Sequence, residues 1–263
     1  MTAPPEVRIA TLPAFPDRPN EDLVLARDGV IVLLDGAGNL KHLASGCSHG
    51  VHWYVNRLGP ALLGHATDPA TPLPEALRLA IMDVRPQHGG ACDLDHPNSP
   101  SATVIVTRLT DRLESLVLAD STLIVTGPDE GPTVVTDDRL DRLVTRLRSE
   151  GHPTAPGWMT PYRNRPGGFW VAGTDPAAAD QAMIRSWPRE EVDVFALLSD
   201  GAARGVDLFH DQDWPTVFAT LAADGPMAVL EQVRQLEAAD ADRAGWPRAK
   251  VNDDATIAYV ELG

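Results

Sequence analysis

The run Val30-Ile31-Val32-Leu33-Leu34 constrains the fold more than any other feature of the sequence. Five apolar residues stand in a row, three of them β-branched, between Asp28-Gly29 and Asp35-Gly36. A strand with one wet face alternates apolar and polar side chains, so an unbroken run reads as a strand covered on both faces. A second run, 192–198, ends in Phe195-Ala196-Leu197-Leu198 and also stops at an acid and a glycine, in Ser199-Asp200-Gly201.

The remaining elements follow from periodicity and turn residues. Strands are expected at 7–12 and 23–26, the latter entering the turn Arg27-Asp28-Gly29. Helical spacing at 48–64 and 74–84 predicts two helices, the second with Pro74 at its start. A Gly/Pro/Asn/Asp/Ser-rich loop covers 86–100. Strands at 102–109, 113–119, 122–126 and 133–136 then read as one meander, followed by an amphipathic helix at 137–148 with Asp137-Asp138 as its cap. Residues 151–168 are irregular and suit a flap, extending to about 170. Asp175 is an N-cap candidate for a short helix. Helices at 202–208 and 214–238 and a last strand at 256–262 complete the chain. Strand groups alternate with helix pairs, which predicts an α+β fold: an antiparallel β-sandwich flanked by helices on both sides. The chain of 263 residues reads as one domain spanning 1–263.

Charge and composition exclude several functions. The net charge of −15 repels nucleic-acid backbones and anionic membranes, so neither is an expected partner. No apolar run is long enough to span a bilayer, and the first residues lack a secretory pattern, so a cytoplasmic location is expected. Lysine occurs only at Lys41 and Lys250 while arginine is abundant, a bias that suits a GC-rich bacterial genome. The two cysteines, Cys47 and Cys92, cannot make a disulfide framework or a four-thiolate zinc site and read as reduced, partly buried thiols.

The acids at strand ends carry the chemical signal. Any one Asp-Gly step reads as a turn. Here Asp35-Gly36 and Asp200-Gly201 follow buried runs, Asn20-Glu21-Asp22 precedes an early strand, Asn252-Asp253-Asp254 precedes the last, and Asp120-Ser121 falls between two strands. With no Lys or Arg next to Asp35, Asp200 or Asp253 in the expected geometry, hard divalent cations with oxygen ligands are the natural counter-charge. Two such ions can activate a water and clamp a phosphoryl group.

The ordered set Arg18-Pro19-Asn20-Glu21-Asp22, Asp35-Gly36, Ser101-Ala102-Thr103, Asp120-Ser121, Ser199-Asp200-Gly201 and Asp253-Asp254-Ala255-Thr256 resembles the metal-dependent protein phosphatases of type 2C. The resemblance runs from Arg18 nearly to the C-terminus. It implies a phosphomonoester hydrolase using two Mn²⁺ or Mg²⁺ ions, with a third position in some members, acting on a phosphorylated protein through serine or threonine phosphate. The other readings are a small phosphorylated metabolite as substrate, or a binding module with little turnover. Asp35 would bridge both metals, the Gly36 carbonyl would bind one, and Asp200 and Asp253 would hold the other. Glu21 and Asp22 would contact metals directly or through water, Asp120 would shape the third position, and Arg18 would grip the phosphate. The chain departs from the family at Ala119-Asp120-Ser121, where Gly-Asp-Ser is usual, and at Ala37-Gly38-Asn39, which supplies no general acid.

Outside that set, His49 and His52 are placed on one face of the first helix and read either as a metal pair or a leaving-group acid near the site, or as plain hydrogen-bonded or exposed histidines, and His96 is a weaker candidate. Trp53-Tyr54 and Phe169-Trp170 read as core aromatics.

Overall fold

The computed structural model describes residues 5–38, 44–128, 131–152 and 157–263. Ten strands, β1 (Glu6–Leu12), β2 (Leu23–Arg27), β3 (Val30–Ala37), β4 (Ser101–Leu109), β5 (Arg112–Leu118), β6 (Thr122–Thr126), β7 (Thr133–Val135), β8 (Met183–Pro188), β9 (Val194–Leu198) and β10 (Ala255–Glu261), form two sheets among these residues. The helices are α1 (Val51–Ala66), α2 (Leu73–Val84), α3 (Arg139–Ser149), α4 (Asp200–Asp207), α5 (Trp214–Ala223) and α6 (Pro226–Ala239). One sheet has the order β1-β10-β9-β6-β7 and the other β2-β3-β4-β5-β8, with every pairing antiparallel.

The apolar runs explain the layering. On β3, Val30, Val32 and Leu34 join the core formed with α1 and α2, while Ile31 and Leu33 join the core between the sheets. On β9, Phe195 and Leu197 face the other sheet, and Ala196 and Leu198 pack with α4, α5 and α6. Both central strands are thus covered twice, and the molecule is a stack of helices, sheet, sheet and helices, as the sequence predicts.

Local details differ from the expectations for physical reasons. The strands at 102–136 are not one meander: β4 and β5 form a hairpin in one sheet, and β6 and β7 form one in the other. The chain changes sheets at Ala119, whose φ of 70° turns the backbone away from the ladder. Asp35-Gly36 is not a turn, because β3 continues through it to pair Asp35 with Thr103 and Gly36 with Ala102. Glycine is required there by close packing: a Cβ on Gly36 would stand 2.3 Å from Val51 Cγ1 and 2.5 Å from the Glu21 carbonyl. Asp200-Gly201 likewise opens α4 instead of closing a turn, and a Cβ on Gly201 would meet the Asp254 carbonyl at 2.0 Å.

The helix expected at 214–238 is two, separated by Gly225 at φ 84° and Pro226. Strand β8 went unseen because it is an edge strand that is largely exposed and ends in Pro188. Asp138 sits at the α3 N-cap without a side-chain cap bond, and Asp137 instead binds the Arg139 backbone and guanidinium. Asp175 caps as expected, accepting from the Ala177 N–H. No helix among the described residues is long and apolar enough to cross a membrane.

Candidate metal centre

Strand alternation delivers the acids to one edge of the sandwich. Ile31 and Leu33 face the gap between the sheets, so Asp35 continues that face and emerges at its mouth. Asp22 stands just before β2, and Asp120 lies in the crossing between β5 and β6. Asp200 begins α4 at the end of β9, and Asp253 precedes β10. The two sheets meet chemically where the Asp200 N–H donates to Asp35 Oδ2 at 3.4 Å.

The loop carrying Glu21 is held by Asp254. Its Oδ1 accepts from the Ala14 N–H at 2.7 Å and its Oδ2 from the Glu21 N–H at 3.0 Å. The Gly36 N–H donates to the Glu21 carbonyl at 3.1 Å. A strand residue's N–H and C=O point to the same side, so the Gly36 carbonyl also faces away from β4. On that side β2 has already ended, its first pair being Leu23 with Leu34.

The carboxylates repel one another. Burial, then Asp200, Asp22, Asp253 and Asp120, hold Asp35 well above the usual carboxylate range. Burial and Asp200 push Asp120 up to about 7. Burial also takes Asp22 to about 7, with the nearby hydroxyls of Ser199 and Thr256 acting in the opposite sense. The Ser199 hydroxyl accepts from the Thr256 N–H, the Thr256 hydroxyl pairs with Thr11, and both Asp22 oxygens are buried with no hydrogen-bond partner. Asp200 is raised by burial and by Asp253, and Glu21 by burial. Asp200 nevertheless keeps an exposed edge, and Asp35 and Asp120 are half-buried, so water reaches the acids.

Asp253 corrects the expectation that these acids lack basic neighbours. Arg204 donates to its Oδ2 at 2.6 Å, and Lys250 reaches its Oδ1 at 2.5 Å. Burial alone would depress the Lys250 ammonium, but Asp253, Asp35 and Asp200 hold it above its ordinary range. Arg204 also binds Glu237, which is fully buried and paired with Arg234. Arg234 in turn binds the carbonyls of Leu12, Pro13 and Asp253. Lys250 was legible as the i−3 neighbour of Asp253, and Arg204 as one helical turn beyond Asp200.

Arg18 lies exposed with its guanidinium 4.5 Å from the Phe15 ring centroid and pairs with no acid among the described residues. The two histidines do not share a face, because α1 starts at Val51. His52 binds the Asn20 carbonyl through Nδ1 at 2.8 Å and lies close enough to Glu21 to oppose, in small part, the rise that burial imposes on it. His49 instead stacks on Trp53 and points Nδ1 at Cys47 and Cys92. His96 packs by Gly46 and accepts from the Asn98 N–H, away from the acids' hydrogen bonds. Tyr54 is buried with its hydroxyl on the Gly173 carbonyl, and Trp53 and Trp170 pack against the α1–α2 core, as the core reading predicts.

Asn39 and residues 153–156 lie outside the described residues. The rest of the expected flap is anchored: Arg163 donates to the Pro97 carbonyl, and Ala172 exchanges backbone bonds with Ala102 at the start of β4. Its Arg163 Nη1 would lie 3.8 Å from a Cβ on Gly38, two residues past Gly36.

The sequence model described as protein phosphatase 2C matches residues 17–236. No curated protein sequence matches the chain. The chain is similar in structure to the catalytic domain of the serine/threonine phosphatase PstP in complex with two manganese ions, with 17% identity, a TM-score of 0.61 and 98% of each chain covered. PstP/Ppp of Mycobacterium tuberculosis gives 18% identity and a TM-score of 0.61 over 100% of this chain and 99% of that one. Stp1 of Staphylococcus aureus gives 17% and 0.60 over 99% and 96%.

Proposed function

This chain belongs to the protein phosphatase 2C family of metal-dependent phosphatases, and we propose that its acidic centre hydrolyses serine and threonine phosphate monoesters. The observation that carries this reading is the convergence of Asp22, Asp35, Asp120, Asp200 and Asp253 at one edge of the sandwich, with Asp22's two buried oxygens left without donors. Hard, crowded oxygen donors, of which only Asp253 has basic partners among the described residues, fit Mn²⁺ or Mg²⁺.

In this reading Asp35, the Gly36 carbonyl and Glu21 would hold one cation, and Asp35 with Asp200 and Asp253 would hold the other. Asp22 contributes its orphaned oxygens directly or through water, and Asp120 shapes a third position. The bound cations would supply a nucleophilic water at neutral pH and neutralise charge on the phosphoryl group. Asp253 presents Oδ1 once Lys250 withdraws, and the exposed side chain of Lys250 has room to swing into solvent. Arg18, unpaired by any described acid, is the fork for a phosphate. His52 takes the acid's role that Ala37 leaves open, since its Nδ1 is fixed by Asn20 beside Glu21. His49 is not assigned to it.

A polypeptide substrate is favoured over a small metabolite by the solvent-facing edges of Asp35, Asp120 and Asp200. A groove lined by Arg139, Arg142, Arg146 and Trp170 between α3 and the 163–170 segment also suits an extended anionic chain.

Hydrolysis of para-nitrophenyl phosphate with and without Mn²⁺, in wild type, Asp35→Asn and Asp200→Asn, tests the chemistry. Mn²⁺-dependent turnover lost in both variants supports it, and equal rates in all three refute it. A panel of phosphopeptides against sugar and nucleotide phosphates then tests the substrate class.

A further inference from the structure

Two stretches far apart in sequence carry soft ligands at short spacing, Cys47-Ser48-His49 and His88-Gly89-Gly90-Ala91-Cys92. The fold brings them together on the connection that enters α1 and the turn that leaves α2. Cys47 Sγ lies 3.3 Å from His49 Nδ1 and 3.3 Å from His88 Nδ1. Cys92 Sγ lies 3.5 Å from Cys47 Sγ and 3.4 Å from His49 Nδ1. All four ligand atoms fall within 4.8 Å of one another.

The four short distances, 3.3–3.5 Å, are close to those of a coordination shell, and the remaining pairs, within 4.8 Å, need only a small side-chain adjustment to reach it. A tetrahedron with Zn–S of about 2.3 Å and Zn–N of about 2.0–2.1 Å has edges of roughly 3.3–3.8 Å between its ligand atoms. The sulfurs are too far apart for a disulfide, whose bond is about 2.05 Å. Both imidazoles turn Nδ1 inward, and the other nitrogen of buried His88, which has no hydrogen-bond partner, sits among the rings of Trp53 and Tyr54. The His49 N–H donates to Cys47 Sγ at 3.3 Å, an arrangement that stabilises a thiolate.

We infer that Cys47, His49, His88 and Cys92 form a second metal site, separate from the acidic centre, that binds one Zn²⁺ through two sulfurs and two nitrogens. Sulfur and imidazole select zinc, where the all-oxygen acidic centre selects Mn²⁺ or Mg²⁺, so the two sites do not compete for one ion. Binding releases both thiol protons to solvent and leaves the imidazoles neutral, so a dication yields a site of zero net charge. Two protein loops are joined by it. The Asp93 N–H donates to the Gly46 carbonyl at 2.8 Å, and a Cβ on Gly46 would stand 2.3 Å from the Asp93 carbonyl, so the segments are already in close contact. Val51, four residues after Cys47, packs on Gly36 beside Asp35. The zinc therefore fixes the entry of α1, and through it the end of β3 that carries Asp35.

The full chain, expressed with zinc in the medium and desalted, is tested by elemental mass spectrometry. About one zinc per chain is expected in wild type and in Asp35→Asn, with at least about a tenfold fall in Cys92→Ser. Cobalt loading of wild type should give tetrahedral d–d bands and thiolate-to-cobalt charge transfer, a readout that needs no variant to fold. Wild type without zinc and without that charge transfer overturns the proposal. So does zinc that survives in Cys92→Ser but is lost in Asp35→Asn, or a Cys47–Cys92 disulfide in the native protein.

Discussion

The backbone N–H of Asp200 donates to the carboxylate of Asp35 at 3.4 Å, and this bond joins the two sheets at the acidic centre. Asp35 lies on β3 of one sheet, and Asp200 follows β9 of the other. One N–H at the start of α4 offsets only part of the repulsion, because Asp35 remains well above the ordinary carboxylate range. The centre is thus built to be completed by cations.

Its titration gives the first prediction. Asp22 and Asp120 are raised from 3.8 to about 7 in the folded chain, so the folded state binds protons more tightly than the unfolded one. Their contribution is complete below the unfolded value and is lost as pH rises through the folded value. The metal-free protein should therefore melt higher at pH 5 than at pH 8, by roughly 5 °C or more. Added Mn²⁺ should raise the pH 8 value most. A melting temperature that is flat or rises between those pH values in chelated protein would contradict the repulsion described here.

Glu237 tests the support of Asp253. It is fully buried and bound by Arg204 and Arg234, the two guanidiniums that hold Asp253 through its carboxylate and its carbonyl. Glu237→Gln leaves Arg234 without an acidic partner and Arg204 with Asp253 alone, and a loss of about 3 kcal/mol or more is expected on denaturant unfolding. Mn²⁺-dependent activity should fall about 10–100-fold, as for loss of a group that orients a ligand. Unchanged unfolding would show that the network does not bear on the fold.

Ala119 tests a departure from the family pattern. Its φ of 70° is a region that costs a residue with a Cβ about 1–2 kcal/mol, and glycine adopts it freely. After the entropy that glycine adds to the unfolded chain, Ala119→Gly should stabilise the protein by up to about 1 kcal/mol, and Ala119→Val should destabilise it. The opposite order of melting temperatures would be inconsistent with that backbone conformation.

The apolar runs at 30–34 and 192–198 disclosed the layered core, because only double coverage tolerates five apolar residues in a row. The ordered acids disclosed the family. Four things were hidden, because none of them is settled by local sequence. The change of sheet at Ala119 depends on one dihedral angle, and β8 depends on the neighbouring strand β5 for its pairing. The basic partners of Asp253 converge from α4 and from the loop before β10, and although their spacing is local, the acid that each one pairs with is set by the fold. The cysteines were set aside as thiols because two cannot fill a thiolate site, whereas Cys47-x-His49 and His88-x₃-Cys92 together make four ligands that only the fold brings into contact.

The central claim is that the carboxylates around Asp35 gather two divalent cations. Anomalous diffraction at the manganese edge, from crystals grown with Mn²⁺, tests it most directly. Two manganese peaks that share the Asp35 carboxylate are expected, one beside the Gly36 carbonyl and one beside Asp200. No peak at Asp35, or manganese bound only elsewhere in the molecule, would contradict the claim.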